Sequence, residues 1–554
     1  MVSRMKKLIK NIFSAGLALS ITASMAVTTY ASEPYVSYNY DAWGDVIESQ
    51  SGYRVDKTIT GYEMELSKLA DPNSDLFIRA EEPTSLSGAS DIFYEEILNE
   101  FWIADSGNNR IIRTDANLKV IGCYDRVTGL EASSDEEARP STFANPTGIY
   151  VTIVTETTKD KKTNKDIEIK KPIIYIADNE NARVVKAEIE SNKSAKCIFE
   201  YTMPDSELYK NNSETFNPSK VLVDSSGILY VVVKSVTTGA VVFDETGEFT
   251  GFYGANRVEL TAAVIRQAIW RKFASNAQIA AMARNVPVEY ANFDIDNEGF
   301  IYTVTEAANA STDAVKKLNP AGNNIWNTAT GNEYEFGDLP EFADCDTSKY
   351  SSRLTDIVVG NDGLINILDY ETGRIFQYTQ DNDLLFIFGS KNNTSDQKGT
   401  FTAPNGIEVV DKNIYVIDGK KNDITIFVET TFGKYVHEAA ALFEKGLYEE
   451  AIDPWNEVIK RDGGYSLAYY GLGKAYLNTG DYDKAMEYFK ISVAKSSYDR
   501  AYQYSRDEFL RNHFTAIIVT LFVIIVAIIV IKKLIKKGKI KLPKIRKKPE
   551  KEGE

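Results

Sequence analysis

The sequence predicts a mainly β protein: a six-bladed β-propeller, followed by a small α-helical domain and a single transmembrane helix. Three observations carry this. A strand–turn–strand unit recurs about every 40–70 residues through the middle of the chain, a helical motif repeats after it at a period of 34, and eighteen uncharged residues stand together near the C-terminus. A length of 554 residues, 43% hydrophobic and 26% charged, suits several folded domains rather than one core or a disordered chain.

The ends set the expected topology. Residues 1–31 read as a secretory signal: Arg4, Lys6, Lys7 and Lys10 precede an apolar stretch, and Thr29-Tyr30-Ala31 places small residues for cleavage after Ala31. An uncleaved anchor is the alternative. Near the other end, Phe514–Ile531 holds just enough apolar helix to cross a hydrocarbon core of about 30 Å. Residues 532–554 follow with eleven Lys and Arg against three Glu, the charge pattern of a short cytoplasmic tail. With basic ends and a net charge of −16, the middle is strongly acidic, which argues against nucleic-acid binding. The chain is therefore expected at the cell membrane as a single-pass protein with its large N-terminal part outside.

Between these ends, residues 32–430 are assigned to the propeller. Innermost-strand candidates are Ser74–Arg79, Thr147–Thr152, Ser219–Asp224, Ala291–Asp296, Thr355–Gly360 and Asn405–Val410. Second strands follow as FWIAD (101–105), IYIAD (174–178), LYVVV (229–233), IYTVT (301–305), INILD (365–369) and IYVID (414–418). Four antiparallel strands per unit, repeated six times, make a propeller. The last unit owns only three strands before the helical region, so residues 55–61 (VDKTITG) near the N-terminus are expected to supply the fourth and close the ring; a short last blade capped by a helix is the alternative. Glu81–Asn99 reads as an insertion between the first two strands of blade one, and residues 260–285 as a helical insertion on the rim or over a binding face.

GNNRI (107–111) and ENARV (180–184), each preceded by IAD, together with FANPTGIYV…IYIADNENARVV (143–185), resemble NHL repeats. The resemblance covers about 69–430 and is weakest in units three and four, which lack the Asn-x-Arg element. In the helical region, residues 431–512, GLYEEA (446–451) recurs as GDYDKA (480–485). With Tyr469, Leu472, Gly473, Tyr476, Ala485 and Phe489, this resembles the tetratricopeptide repeat, which implies a protein-binding module; a stalk raising the propeller off the bilayer is the other reading. Proteins of this overall architecture resemble ones encoded near carbohydrate importers, which implies a sugar or a transporter component as partner.

Little in the chain speaks for catalysis. The only histidines are His437 and His513, and the three cysteines, Cys123, Cys197 and Cys345, form no C-x-x-C. No P-loop or G-x-S-x-G occurs. NHL-type lyases ligate metal through histidine, which the propeller lacks, whereas gluconolactonase-like propellers hold a divalent cation in the channel with carboxylates and amides. The Asp and Arg of the IAD motifs, Asp105 with Arg110 and Asp178 with Arg183, read as turn-capping pairs. The candidate ligand site is the ring where the innermost strands begin. One column there reads Asp75, Gly148, Lys220, Asn292, Asp356, Gly406, and the column before it includes Asn405. Asp75, Lys220, Asn292, Asp356 and Asn405 would suit a hydroxyl-rich ligand or a cation; turn formation is the structural alternative. No cofactor is expected beyond such a cation. The function expected is that of a membrane-anchored binding or scaffolding protein rather than an enzyme, with a metal-dependent gluconolactonase-like hydrolase as the rival.

Overall fold

A computed structural model describes residues 34–537, apart from 42–44, 131–139, 160–165, 255–288, 307–313, 327–335, 339–351 and 395–396. The expected secretory signal (1–31), the expected helical insertion (260–285), most of the basic tail and Cys345 lie outside the described residues. Two compact units are present: Met1–Ala441 with Lys460–Tyr465, and Leu442–Ile459 with Ser466–Glu554.

The first unit is the six-bladed propeller. Its innermost strands are Asp91–Glu95, Pro146–Lys159, Pro218–Val223, Tyr290–Ile295, Leu354–Val359 and Pro404–Val410. Each touches the next, and the sixth returns to the first. Five blades have four strands; blade four has three among the described residues. The sixth blade takes its outermost strand from Tyr53–Thr60, which pairs antiparallel with Asp423–Glu429 from Tyr53↔Glu429 to Thr60↔Asp423. Tyr53 is buried there, stacked on Phe388 at 4.7 Å. Its hydroxyl accepts from Gln377 Nε2 (2.9 Å), whose Oε1 lies 2.6 Å from His437 Nε2, while His437 Nδ1 meets Glu429. That buried chain of polar groups gives His437 a packing role in the seam.

Alternation along the strands explains the core. Odd and even positions of each innermost strand face opposite neighbours, so the apolar core is divided into layers between blades rather than gathered at one centre. Ile92 packs with Tyr415 and Ile417 of blade six, Ile149 and Val151 with Trp102 and Ile111 of blade one, and Leu222 with Phe293 of blade four. Tight hairpins follow from local chemistry. Asp224 Oδ1 accepts from the backbone N–H of Ser226 and Ile228, and Asp296 Oδ1 from Glu298 and Phe300. Gly227 and Gly299 adopt φ of 82° and 85° in those turns, where a side chain would be strained.

Blade one differs from the sequence expectation. Ser74–Arg79 forms no strand: Asp71 and Ser74 cap successive turns, and Ile78 N bonds Leu69 O. Leu76 and Ile78 pack on the layer between blades six and one. The innermost strand is instead Asp91–Glu95, inside the stretch 81–99 read as an insertion, and it pairs with Glu100–Asp105. A four-residue turn ending on Asn99 (φ 59°) joins the two strands, as connections of two to five residues do in blades three to six. The excursion therefore lies between the closing strand and blade one, not within that blade.

The second unit is helical. Its chain includes parts of Thr431–Glu444 and Ile452–Arg461, then Ser466–Thr479, Tyr482–Ile491 and Lys495–Lys536. Gly446 and Gly480, 34 residues apart, both take left-handed φ (72° and 84°), ending one helix and admitting the next. Small residues set the helix spacing: a Cβ on Gly471 would lie 2.4 Å from Trp455 Nε1, and one on Gly473 2.6 Å from the Phe489 ring. Lys495–Lys536 is one 42-residue helix containing the apolar run, whose side chains are exposed throughout, and it is long and apolar enough to cross a membrane.

Candidate functional site in the central channel

Residues at every second position of the innermost strands form layers across the channel. The first layer, one residue per blade, is Asp91, Gly148, Lys220, Asn292, Asp356 and Gly406, all buried. Three of the five site residues expected from sequence, Lys220, Asn292 and Asp356, meet here. Asp75 does not; it is exposed in the turn after Asp71, and Asp91 takes its place because Asp91–Glu95 is the true innermost strand. Asn405 sits beside the layer, where its Nδ2 donates to Ala89 O (2.9 Å) and ties blade six to blade one.

These groups satisfy one another. Lys220 Nζ donates to Asp91 Oδ1 (2.5 Å) and Ser90 O (3.2 Å), reaching from blade three to blade one. It can do so because blade two contributes only Gly148, where a Cβ would stand 2.7 Å from Lys220 Cα. Asn292 Nδ2 donates to Asp356 Oδ1. Burial works against charge on Lys220, but Asp91 and Asp356 more than offset it and raise its pKa, so the ammonium stays charged. Burial raises Asp91, and lifts Asp356 to about 6 even with Lys220 near. The layer is a polar plug across the channel.

The next layer, two residues further along, is Phe93, Tyr150, Leu222, Asp294, Val358 and Glu408. It introduces two carboxylates that the sequence reading passed over. They follow one rule with Asp91 and Asp356: each accepts an N–H from the innermost strand of the following blade. Asp91 takes Ile149 N, Asp356 takes Ile407 N and Asp294 takes Val359 N, while Glu408 takes Tyr94 N across the seam, at 2.7–2.9 Å. Asp356, Asp294 and Glu408 also accept their own strand's next N–H at 2.8 Å. The inner edge of a blade leaves every second N–H unpaired, and these carboxylates satisfy them. Burial pushes Asp294 up to about 7 against the pull of its two N–H bonds, and pushes Glu408 well above the usual carboxylate range, with Asp294 adding repulsion. The alternation that revealed the first column contains this one too, one strand period on.

The IAD motifs are structural. Asp105 Oδ1 accepts Ser87 N, and its Oδ2 takes Asn108 and Arg110; Asp178 accepts Ala144 N, Asn181 and Arg183 in the same way. Asp369 and Asp418 hold the equivalent loops of blades five and six through backbone N–H groups of Arg353 and Thr402. Each Asp thus fastens the turn after its own strand to the segment leading into its blade. Blades three and four carry Val233 and Thr305 at this position.

The residues do not fit a channel cation of the gluconolactonase type. Asp91, Asn292 and Asp356 are already engaged with Lys220, each other and backbone N–H groups. Among the described residues no three Asp, Glu, His or Cys side chains converge as metal ligands.

Fold and site together define a propeller with tetratricopeptide-type helices and a plugged channel. Residues 466–499 match the tetratricopeptide repeat family. No curated protein matches the sequence. Among solved structures, the chain is similar to virginiamycin B lyase from Staphylococcus aureus, at 12% identity over 71% of this chain and 94% of that one, TM-score 0.34. A gluconolactonase from Xanthomonas campestris shares 8% identity over 62% and 86%, TM-score 0.33. The extracellular domain of a putative one component system from B. thetaiotaomicron shares 10% over 72% and 38%, TM-score 0.31. At these values function has to be argued from the chain's own residues.

Proposed function

We propose that the chain is a membrane-anchored binding and scaffolding protein, not an enzyme. Its propeller faces the outside and recognises a ligand or partner, with a carbohydrate or a sugar-transporter component as the first candidates. The helical repeats act as interaction module or stalk, and Phe514–Ile531 spans the bilayer with residues 532–554 in the cytoplasm. One observation supports this most: the polar ring at the start of the innermost strands is consumed by its own pairing, with the Lys220 ammonium on Asp91 where a hydrolase would need free carboxylates. Full-length protein in detergent is tested against a glycan array, and for lactone hydrolysis with added divalent cations. Glycan or partner capture without turnover is the expected result. Lactone turnover that Asp356→Asn abolishes would overturn the reading. Protease treatment of intact cells that trims the tail but spares the propeller would overturn the topology.

A further inference from the structure

Ring closure rests on more than the strand pairing of blade six. The helix Thr431–Glu444 begins directly after strand Asp423–Glu429 and is fastened onto the start of the closing strand. Thr430 N donates to Gly52 O (2.9 Å) and Thr430 Oγ1 donates to Ser51 O (2.8 Å). Gly433 lies so close that a Cβ there would stand 2.2 Å from Gly52 O. One helical turn further on, His437 enters the seam and is buried in it.

The hydrogen bonds around His437 fix where its protons are. Gln377 and Asn366 pair across strands Arg374–Tyr378 and Ile365–Asp369, and both are buried. Gln377 Nε2 spends its two protons on Asn366 Oδ1 and the Tyr53 hydroxyl, each at 2.9 Å, so the amide turns its oxygen to His437 Nε2. A carbonyl oxygen only accepts, and Nε2 must donate. His437 Nδ1 meets Glu429, whose carboxyl is held below its ordinary value. Burial acts to raise it, but the His437 hydrogen bond and charge, with Lys412 Nζ 3.6 Å away, outweigh burial. A carboxylate too only accepts. With an acceptor at each nitrogen, the ring carries two protons and a positive charge. Its surroundings suit a cation: the Tyr53 and Phe386 rings lie 5.7 and 5.5 Å away, and Glu429 balances the charge.

We propose that His437 is an imidazolium in the folded chain and serves as a proton-dependent latch on the ring closure. With both protons in place it ties the closing strand, blade five and the helix Thr431–Glu444 together; losing one unfastens them. A neutral ring has one bare nitrogen, which would face either the Glu429 carboxylate or the Gln377 oxygen, and both contacts repel. Turning the Gln377 amide over gives no relief, since its oxygen would then meet Asn366 Oδ1. The inference goes beyond the scaffold reading and is independent of what the propeller binds.

The direction of the pH response follows from the groups around the latch. Blade six contributes Glu429 and Lys412. The closing strand contributes the Tyr53 phenol, raised by burial with Asp362 and Glu429 adding to it, and beyond Phe386 lies the Tyr465 phenol, raised by burial. Lys434 and Glu438 of the helix itself are exposed. Glu429, lowered in the fold, contributes stability above its unfolded value of 4.5 and loses it as the pH falls. The imidazolium contributes fully below the ordinary histidine value of about 6.5 and loses this as the pH rises, because the unfolded chain then gives up a proton that the folded chain keeps. The latch is tightest between those two values and slackens on the alkaline side.

The test exploits a chain with two histidines, His437 and His513. Full-length protein carrying isotope-labelled histidine is studied by NMR in detergent, with His513→Asn assigning the signals. At about pH 7 both ring nitrogens of His437 should resonate as N–H donors. A neutral ring with one bare nitrogen would overturn the proposal, and this measurement needs no variant at the seam. Glu429→Gln should convert the ring to its neutral form at the same pH; a ring still doubly protonated there would also overturn it. Opening of the latch is read from hydrogen exchange of Tyr53–Thr60, corrected for the intrinsic pH dependence of exchange. Protection should fall by about tenfold or more between about pH 6.5 and about pH 9 in wild type, and should start lower and stay flat in His437→Gln. The channel carboxylates act alike in both proteins and cancel in the comparison. Parallel trends in the two would refute the latch. Thermal unfolding verifies that each variant is folded, and should His437→Gln not fold, the wild-type spectrum decides.

Discussion

Replacing Asp294 by Asn should alter the pH dependence of folding with a sign that can be worked out in advance. In the folded chain burial raises this carboxyl from 3.8 to about 7, with Asp356 and Asp296 contributing. Below the unfolded value both states are protonated and the group is neutral to stability. Between the two values the unfolded chain ionises while the folded one does not, so stability falls by about 1.4 kcal/mol per pH unit, reaching a loss of about 4 kcal/mol above the folded value. Asn cannot ionise. Its Oδ1 can keep one of the two N–H bonds to Ile295 and Val359, and the other is broken at a cost of about 1–2 kcal/mol. The variant should therefore be no more stable than wild type at pH 5, yet more stable by roughly 2–3 kcal/mol at pH 8. Urea unfolding of both proteins in the same detergent, followed through the propeller's aromatic signal at a series of pH values, measures the difference directly. Parallel stability curves across that range would show that Asp294 is not held protonated by its surroundings.

Three other outcomes are expected. Lys220→Met strands Asp91 in the plug and should cost about 3–5 kcal/mol at neutral pH, less as the pH falls and the carboxyl, already raised by burial, takes up a proton, and adding Asp91→Asn should recover part of the loss; equal losses in the single and double variants would refute the pairing. Gly471→Ala gains helix propensity of about 1 kcal/mol but forces a methyl to 2.4 Å from Trp455, so the helical unit should lose about 1–3 kcal/mol on balance, read from its thermal transition. Cys123 and Cys197 are both unbridged, and thiol titration of the unfolded, non-reduced protein should count three free cysteines, the third being Cys345; a count of one would reveal a disulfide.

Much of the propeller was legible because its blades repeat a local pattern. Five innermost strands, from Thr147 to Val410, were found by polar positions at strand starts followed by alternating apolar residues. Ser74–Arg79 failed because strand-like composition is local, whereas a strand exists only through its partner. FWIAD needs a mate one short turn away, and DIFYE, separated from Glu100 by four residues, is that mate. The shortness of this turn, two to five residues in blades three to six, is the missing signal. Lys220, Asn292 and Asp356 were visible as a column of unlike polar residues. Asp294 and Glu408 are hidden because the rest of their column is Phe93, Tyr150, Leu222 and Val358, which has the composition of a core face. Nothing in the linear sequence could reveal that Lys220 reaches past Gly148 to Asp91, because that contact depends on how closely blades two and three approach.

The closing strand has a consequence for biogenesis. Tyr53–Thr60 leaves the ribosome early and its partner Asp423–Glu429 much later. At 5–20 residues per second, the roughly 370 residues between them correspond to a wait on the order of 20–70 seconds. Throughout that interval the early strand is an unpaired edge. Three of its four exposed positions, Arg54, Asp56 and Lys57, are charged, and charges at such places discourage pairing with the wrong neighbour. The ring is therefore a loop held open for most of synthesis and fastened late. A chain stopped before Asp423 would leave that edge permanently unpaired, so premature termination in the last blade should yield aggregation rather than a smaller propeller.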